Sequence, residues 1–248
     1  MYDRPETRAA HERLWTSIRD HLRRLWKHDP KAGCRLPEVL EIDGDMWRHW
    51  RSPDLVLSQT CGLPYREHLH GEVSLVATAD YGLPGCPPGH YNSVLVTRPG
   101  ETRDWSDLRL AINGYDSQSG WAAPMNHAAG LGVTFGAVVV TGAHRASAAA
   151  VADGNADIAA IAAQSWRMIT RWDDVPTALV EADSTEPTPG LPFISGMHAI
   201  RDELRTAIEH SCHALSLEDR AVLEIKGVTF IEPDAYRAIQ TPKALQSV

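Results

Sequence analysis

The feature that most constrains this chain is a repeated change of hydrophobic period. Short apolar runs occupy 35–43, 54–58, 72–80, 91–97, 108–113, 133–141, 157–163, 177–182 and 193–197. Between them lie stretches whose apolar residues return every third or fourth position. The first covers 5–27, where Ala9, Leu14, Ile18, Leu22 and Trp26 share one side; others cover 46–51, begin near Gly120 and near Arg145, and cover 199–214 and 217–223. Short apolar runs bounded by Gly and Pro read as strands, and the longer period reads as amphipathic helix. Strands alternating with helices predict an α/β fold: two mainly parallel sheets with flanking helices, and ligands bound beyond the strands' carboxyl ends.

Two places punctuate the alternation, the Gly- and Pro-rich turn at 82–89 and the Pro-rich segment 186–192. If the strands before them cross between sheets, one lobe is continuous and the other is assembled from both chain ends. The expected division is 1–76 with 183–248 as lobe I and 77–182 as lobe II, with a hinge of two crossing segments. The tail from Thr241 is expected to be poorly tied down.

Composition narrows the function. With 43% hydrophobic and 23% charged residues the chain can bury a real core. A net charge of −8 gives no basic stripe for nucleic acid, but a small anion needs only local N–H groups and helix dipoles. Cys34, Cys61, Cys86 and Cys212 form no CxxC pair, so free, mostly buried thiols are expected, with one long-range disulfide left open. His68 with His70, and His210 with His213, lack further ligands, so neither a metal nor a cofactor is expected. No 18-residue apolar run is present, and the opening residues lack the basic-then-apolar pattern of a secretory signal, which predicts a chain that stays where it is made.

The segment Asn113-Gly114-Tyr115-Asp116-Ser117-Gln118-Ser119-Gly120 joins a predicted strand to a predicted helix. Hydroxyl residues there can cap the helix while its free N–H groups and positive dipole end favour an anion; on this segment alone, Ser117 or Ser119 as a plain N-cap is the favoured reading. A second junction of the same kind, Thr141-Gly142-Ala143-His144-Arg145, places His144 at the same expected cleft edge. His144 as a base beside Ser117 or Ser119 is the catalytic alternative, but no Gly-x-Ser-x-Gly elbow surrounds either serine. In the other half, Ser58 to Tyr65 offers Thr60 and Tyr65 to close over a ligand, or Tyr65 as a packing residue. Cys61 has no partner base near it in sequence.

In order and spacing, 1–6, 54–65, 91–97, 105–108, 116–120 and 141–147 resemble the phosphate/phosphonate substrate-binding proteins of ABC transporters, which have the type II periplasmic-binding fold. The resemblance implies a non-enzymatic, monomeric, two-lobed protein that closes around a phosphonate, phosphite or phosphate and is read by a membrane permease. It implies Ser117, Gln118, Ser119, His144 and Tyr65 as oxyanion ligands, Tyr2 and Thr60 as further cleft residues, and Gln164 as a reader of the ligand's organic end. Gln118 departs from the threonine frequent at its position. The family is periplasmic, whereas a genuine start at Met1 would imply the cytoplasm. An enzyme or a cytoplasmic sensor of a small phosphorylated metabolite is the competing expectation.

Overall fold

A computed structural model of the chain describes residues 2–27, 36–42 and 44–242. Its strands are β1 (Ser58–Gln59), β2 (Ser74–Asp80), β3 (His90–Tyr91), β4 (Ser93–Thr97), β5 (Arg109–Ile112), β6 (Ala137–Val140), β7 (Ile158–Ala162), β8 (Val180–Ser184), β9 (Thr188–Pro189), β10 (Pro192–Ser195) and β11 (Gly227–Thr229). Its helices are α1 (Pro5–Leu25), α2 (Met46–Trp50), α3 (Gly62–Pro64), α4 (Ala123–Gly130), α5 (His144–Ala152), α6 (Ala163–Trp172), α7 (Arg201–His213), α8 (Leu217–Leu223) and α9 (Pro233–Arg237).

The strands form two sheets joined by a ribbon. The first has the order β1-β10-β2-β11, the second β6-β5-β7-β4-β8, and β3 pairs with β9 between them. In the first lobe, α1 lays Leu14, Ile18 and Leu22 against Leu204 and Ile208 of α7 and Val76 of β2. In the second, the residues of β4 and β7 are all buried. Alternate residues of β4 serve two cores, Leu95 with Leu110 and Ile158 on one face, Val94 and Val96 with Ala159 and Ile161 on the other. Burial on both faces explains why these strands read as continuous apolar runs. A third cluster, Tyr2, Leu83, Tyr91, Met168 and Leu191, sits where the lobes meet.

The sheets differ from the mainly parallel expectation. Every pairing in the first sheet is antiparallel, and in the second only β5 pairs in parallel, with β6 and β7. The crossings cause this. A strand that leaves for the other lobe and its neighbour that returns share the same sheet end, so β2 and β10 run oppositely, as do β4 and β8. β2 keeps its ladder to Asp80, and β8 keeps its own to Ser184.

Other differences are local. The run 54–58 reaches the first sheet only at Ser58, because Leu55 N–H closes a turn onto Ser52. The segment 36–42 has no strand, and Cys34, Arg35 and Asp43 lie outside the described residues. Thr241, expected to be loose, is bonded through its Oγ1 to Arg66 Nε at 3.0 Å and also to Glu67; the rest of the tail from 243 lies outside the described residues. Cys61, Cys86 and Cys212 are free. Among the described residues no helix is long and apolar enough to cross a membrane, and no cluster of three or more His, Cys, Asp or Glu could hold a metal.

Candidate functional site

The chain leaves β5 at Ile112 and turns into a π-helical segment, Gln118–Ala122, that continues as α4. Ser117 caps it, its Oγ accepting the Gly120 N–H at 2.9 Å. Gly120 sits tightly there, since a Cβ would stand 1.9 Å from Asn113 Oδ1 and the Asn113 amide or the turn would have to shift. The first N–H groups of a helix have no intrahelical acceptor, and among the described residues none is bonded to the Ser119 N–H.

The second junction lies alongside. β6 pairs with β5, and Thr141 Oγ1 donates to the Ile112 carbonyl at 2.9 Å, so the two strand ends are tied together. Gly142 turns the chain at φ +88°, and α5 starts at His144 with no side-chain cap among the described residues. His144 Nε2 then meets Ser119 Oγ at 2.9 Å, joining the start of one helix to the start of the other.

Burial holds the His144 imidazole down to about 4, with the Ala160 carbonyl pulling weakly the other way. The ring is therefore neutral at pH 7. If its Nε2–H donates to Ser119, the Ser119 hydroxyl proton is free for a ligand. Tyr91, buried beside it, keeps its proton, since burial raises the phenol well above its usual range and Ser119 only partly offsets this. The Tyr91 hydroxyl is 4.0 Å from Cys61 Sγ.

A cleft of about 710 Å³ opens over these groups. Tyr2, Arg4, Trp50, Cys61 and Pro64 line it from the first lobe, and Ser117, Ser119, His144, Arg145 and Met168 from the second. Its arginines are engaged: Arg4 grips Asp173 through both carboxylate oxygens at 2.9 and 3.0 Å, and Arg145 reaches the same carboxylate at 2.9 Å. Apart from Arg145, whose guanidinium is turned onto Asp173, the donors facing the cleft from the two junctions are neutral hydroxyls, a neutral imidazole and backbone N–H groups, all suited to negative oxygen.

Of the residues expected from sequence, Ser117, Ser119, His144 and Tyr2 come together on the cleft wall. Gln118, Thr60, Tyr65 and Gln164 do not line it. Gln118 turns away, its Oε1 accepting from Arg66 Nη1 at 2.6 Å and its N–H donating to Cys61 Sγ at 3.2 Å. Tyr65 packs edge-on against Tyr236 at 5.2 Å. Gln164 is held by Arg167. Thr60 is fully buried, its N–H bonded to the Pro192 carbonyl and its Oγ1 without a partner among the described residues. Reading by residue type weighed Cys61 only as a nucleophile, whereas it lines the cleft, and passed over Tyr91 and Arg66, which lie behind the lining. Only Cys61, beside Gly62 at a strand end, carried a visible signal.

A family model described as "ABC transporter, phosphonate, periplasmic substrate-binding protein" matches residues 55–236. No curated protein sequence matches at a significant level. Among solved structures, XAC2383 from Xanthomonas citri bound to ATP superposes with a TM-score of 0.68 at 16% identity, covering 94% of this chain and 91% of that one. PhnD1 from Prochlorococcus marinus (MIT 9301) in complex with methylphosphonate gives 0.63 at 18%, covering 77% and 78%. A binding protein component of an ABC phosphonate transporter from Pseudomonas aeruginosa gives 0.62 at 16%, covering 88% and 79%. At these identities the likeness is one of fold.

Proposed function

The chain belongs to the family of periplasmic phosphonate-binding components of ABC transporters, and from that premise we propose that its cleft holds a tetrahedral phosphorus oxyanion between the π-helical turn at Ser117–Ser119 and the start of α5. The protein is a substrate-binding component and not an enzyme. One observation carries the placement of the site: the Ser119–His144 hydrogen bond joins two strand-to-helix junctions whose free N–H groups open on one cleft. The ligand's oxygens accept from the Ser119 N–H and hydroxyl and from the first turn of α5, where the dipoles of both helices favour negative charge. His144 is a positioning residue that sets the direction of the Ser119 proton. Tyr2 and Trp50 cover the ligand from the first lobe.

The ligand class has support from two relatives of the same fold, one solved with methylphosphonate and one with ATP, both of which present phosphorus oxyanions. The lobes move about the β3–β9 ribbon, and the ligand shifts their equilibrium by binding the closed form more tightly. The closed form is delivered as a monomer, in the periplasm, to a membrane permease. Calorimetric titration with phosphate, phosphite, methylphosphonate and 2-aminoethylphosphonate tests this. Stoichiometric binding to at least one is expected. Ser119→Ala removes a hydrogen bond to a charged group, of about 1.5–3 kcal/mol, and weakens that binding roughly 10- to 150-fold. Absence of heat with all four ligands refutes the reading.

A further inference from the structure

The groups that touch the proposed ligand are neutral, yet a cation is buried directly behind them. Arg66 lies in the π-helical turn Tyr65–Leu69, and its side chain is only 3% exposed. A π-turn carries i→i+5 bonds, and here it turns an arginine inward. The guanidinium donates to three neutral acceptors: Gln118 Oε1 at 2.6 Å, Thr241 Oγ1 at 3.0 Å and the Gln240 carbonyl at 3.3 Å. Its carboxylate neighbour, Glu67, is 3.6 Å from Nε, but is 41% exposed and itself accepts from Thr241. The arginines of the cleft do not substitute for it, since Arg4 and Arg145 both close on Asp173.

A buried guanidinium stays charged, and one whose close acceptors are neutral is under-compensated in a medium of low dielectric. Gln118, which it grips, stands between Ser117 and Ser119. Burial is the main influence on Arg66 and lowers its pKa; Glu67 first, then Cys61 and Tyr91, pull it the other way without overcoming burial. An anion resting on Ser119 supplies the missing negative charge. We propose that Arg66 is a specificity-determining residue of this protein, a buried cation held against the back of the π-helical turn through Gln118, which makes the neutral seat select ligands by charge and prefer the dianionic to the monoanionic form. This rests on the placement of the ligand at Ser117, Ser119 and His144. For a separation on the order of 10 Å at an effective dielectric near 20, Coulomb attraction contributes roughly tenfold in affinity per ligand charge.

The rival role is structural, a staple between the turn at 65–69 and residues 240–241. Calorimetric affinities for methylphosphonate, measured between pH 5 and 9 across the ligand's second ionisation, separate the two. Wild type gains affinity as the dianion forms. Arg66→Gln, which keeps a donor for Gln118 without the charge, loses roughly tenfold for the monoanion and shows a gain about tenfold smaller on dianion formation. Arg66→Lys retains most of the gain. Melting temperatures report folding, and Arg66→Met replaces the Gln variant should that one not fold. Failure of both to fold assigns Arg66 to the staple and overturns the inference. A profile for the charge-free variant parallel to wild type overturns it too, leaving the ligand site intact. No binding by wild type refutes the site itself, and this inference with it.

Discussion

Gly120→Ala tests the claim that the π-helical turn must sit where it does. The added methyl would stand 1.9 Å from Asn113 Oδ1, 3.1 Å from its Cγ and 3.3 Å from its backbone nitrogen. Carbon and carbonyl oxygen meet at ~3.3 Å, so either the amide or the turn must yield by about 1.4 Å. Overpacking of this kind costs about 1–3 kcal/mol of stability. The functional loss is separate, because the Gly120 N–H anchors the Ser117 cap and Ser119 precedes it. Displacing Ser119 forfeits at least one charge-assisted bond to the ligand, about 1.5–3 kcal/mol, or 10- to 150-fold in affinity. Asn113→Ala removes the obstructing amide, and the double variant should recover most of the loss, giving a coupling of about 1 kcal/mol or more between sites in contact. Calorimetry on the three variants, with thermal melts as control, measures it. Gly120→Ala binding within twofold of wild type would refute the reasoning.

Two further predictions concern buried groups. Asp157, whose side chain is 3% exposed, takes Arg98, Arg103 and Arg109 at 3.1, 2.9 and 2.8 Å; the Arg109 hydrogen bond is the largest of the influences that hold it far below the usual carboxylate range. Asp157→Asn should therefore cost about 2–4 kcal/mol in denaturant unfolding at pH 7, somewhat below the roughly 3–5 kcal/mol of a broken buried pair because the arginines are partly exposed. Since the folded pKa is depressed, this stability is present above the unfolded carboxylate pKa near 3.9 and is lost as pH falls below it, so wild type and variant should converge in acid; a constant difference from pH 7 to 2 would contradict the assignment. Cys61 lines the cleft, whereas Cys212 is 1% exposed with its thiol pushed up to about 12 by burial. Peptide-resolved alkylation should show saturating methylphosphonate slowing Cys61, leaving half-buried Cys86 unaffected, with Cys212 silent throughout; equal Cys61 rates with and without ligand would place the ligand elsewhere.

The second lobe was the more legible in sequence. β4, β5 and β7 are buried on both faces and appear as unbroken apolar runs, and α1 shows its buried face in the spacing of Leu14, Ile18 and Leu22. β11 escaped because it is three half-buried residues at a sheet edge, where alternation has no length in which to show. Strand direction escaped because it depends on which sheet end each crossing uses, a property of the path and not of local residues. At the proposed site, the polar residues at two strand-to-helix junctions singled out Ser117, Ser119 and His144, which the structure brings onto one cleft wall. Gln118 was grouped with them by the family resemblance, but successive residues at a helix start point in different directions, and its amide faces Arg66. Arg66 was beyond reach, since a lone arginine among Tyr65, Glu67 and His68 reads as solvated surface unless the π-turn is known.

The sheet order β1-β10-β2-β11 has a consequence for how the protein is made. β2 has β10 on one side and β11 on the other, so it has no partner in its sheet until the chain has grown past Pro192. The strands β4 to β8 lie wholly between, and their sheet needs nothing synthesised later than Ser184. On an emerging polypeptide the second lobe can therefore complete its sheet first, while α1 and β2 wait with their apolar faces open. Once complete, that lobe becomes a folded plug that draws the chain on either side of it together, and so shortens the loop that the first lobe must close.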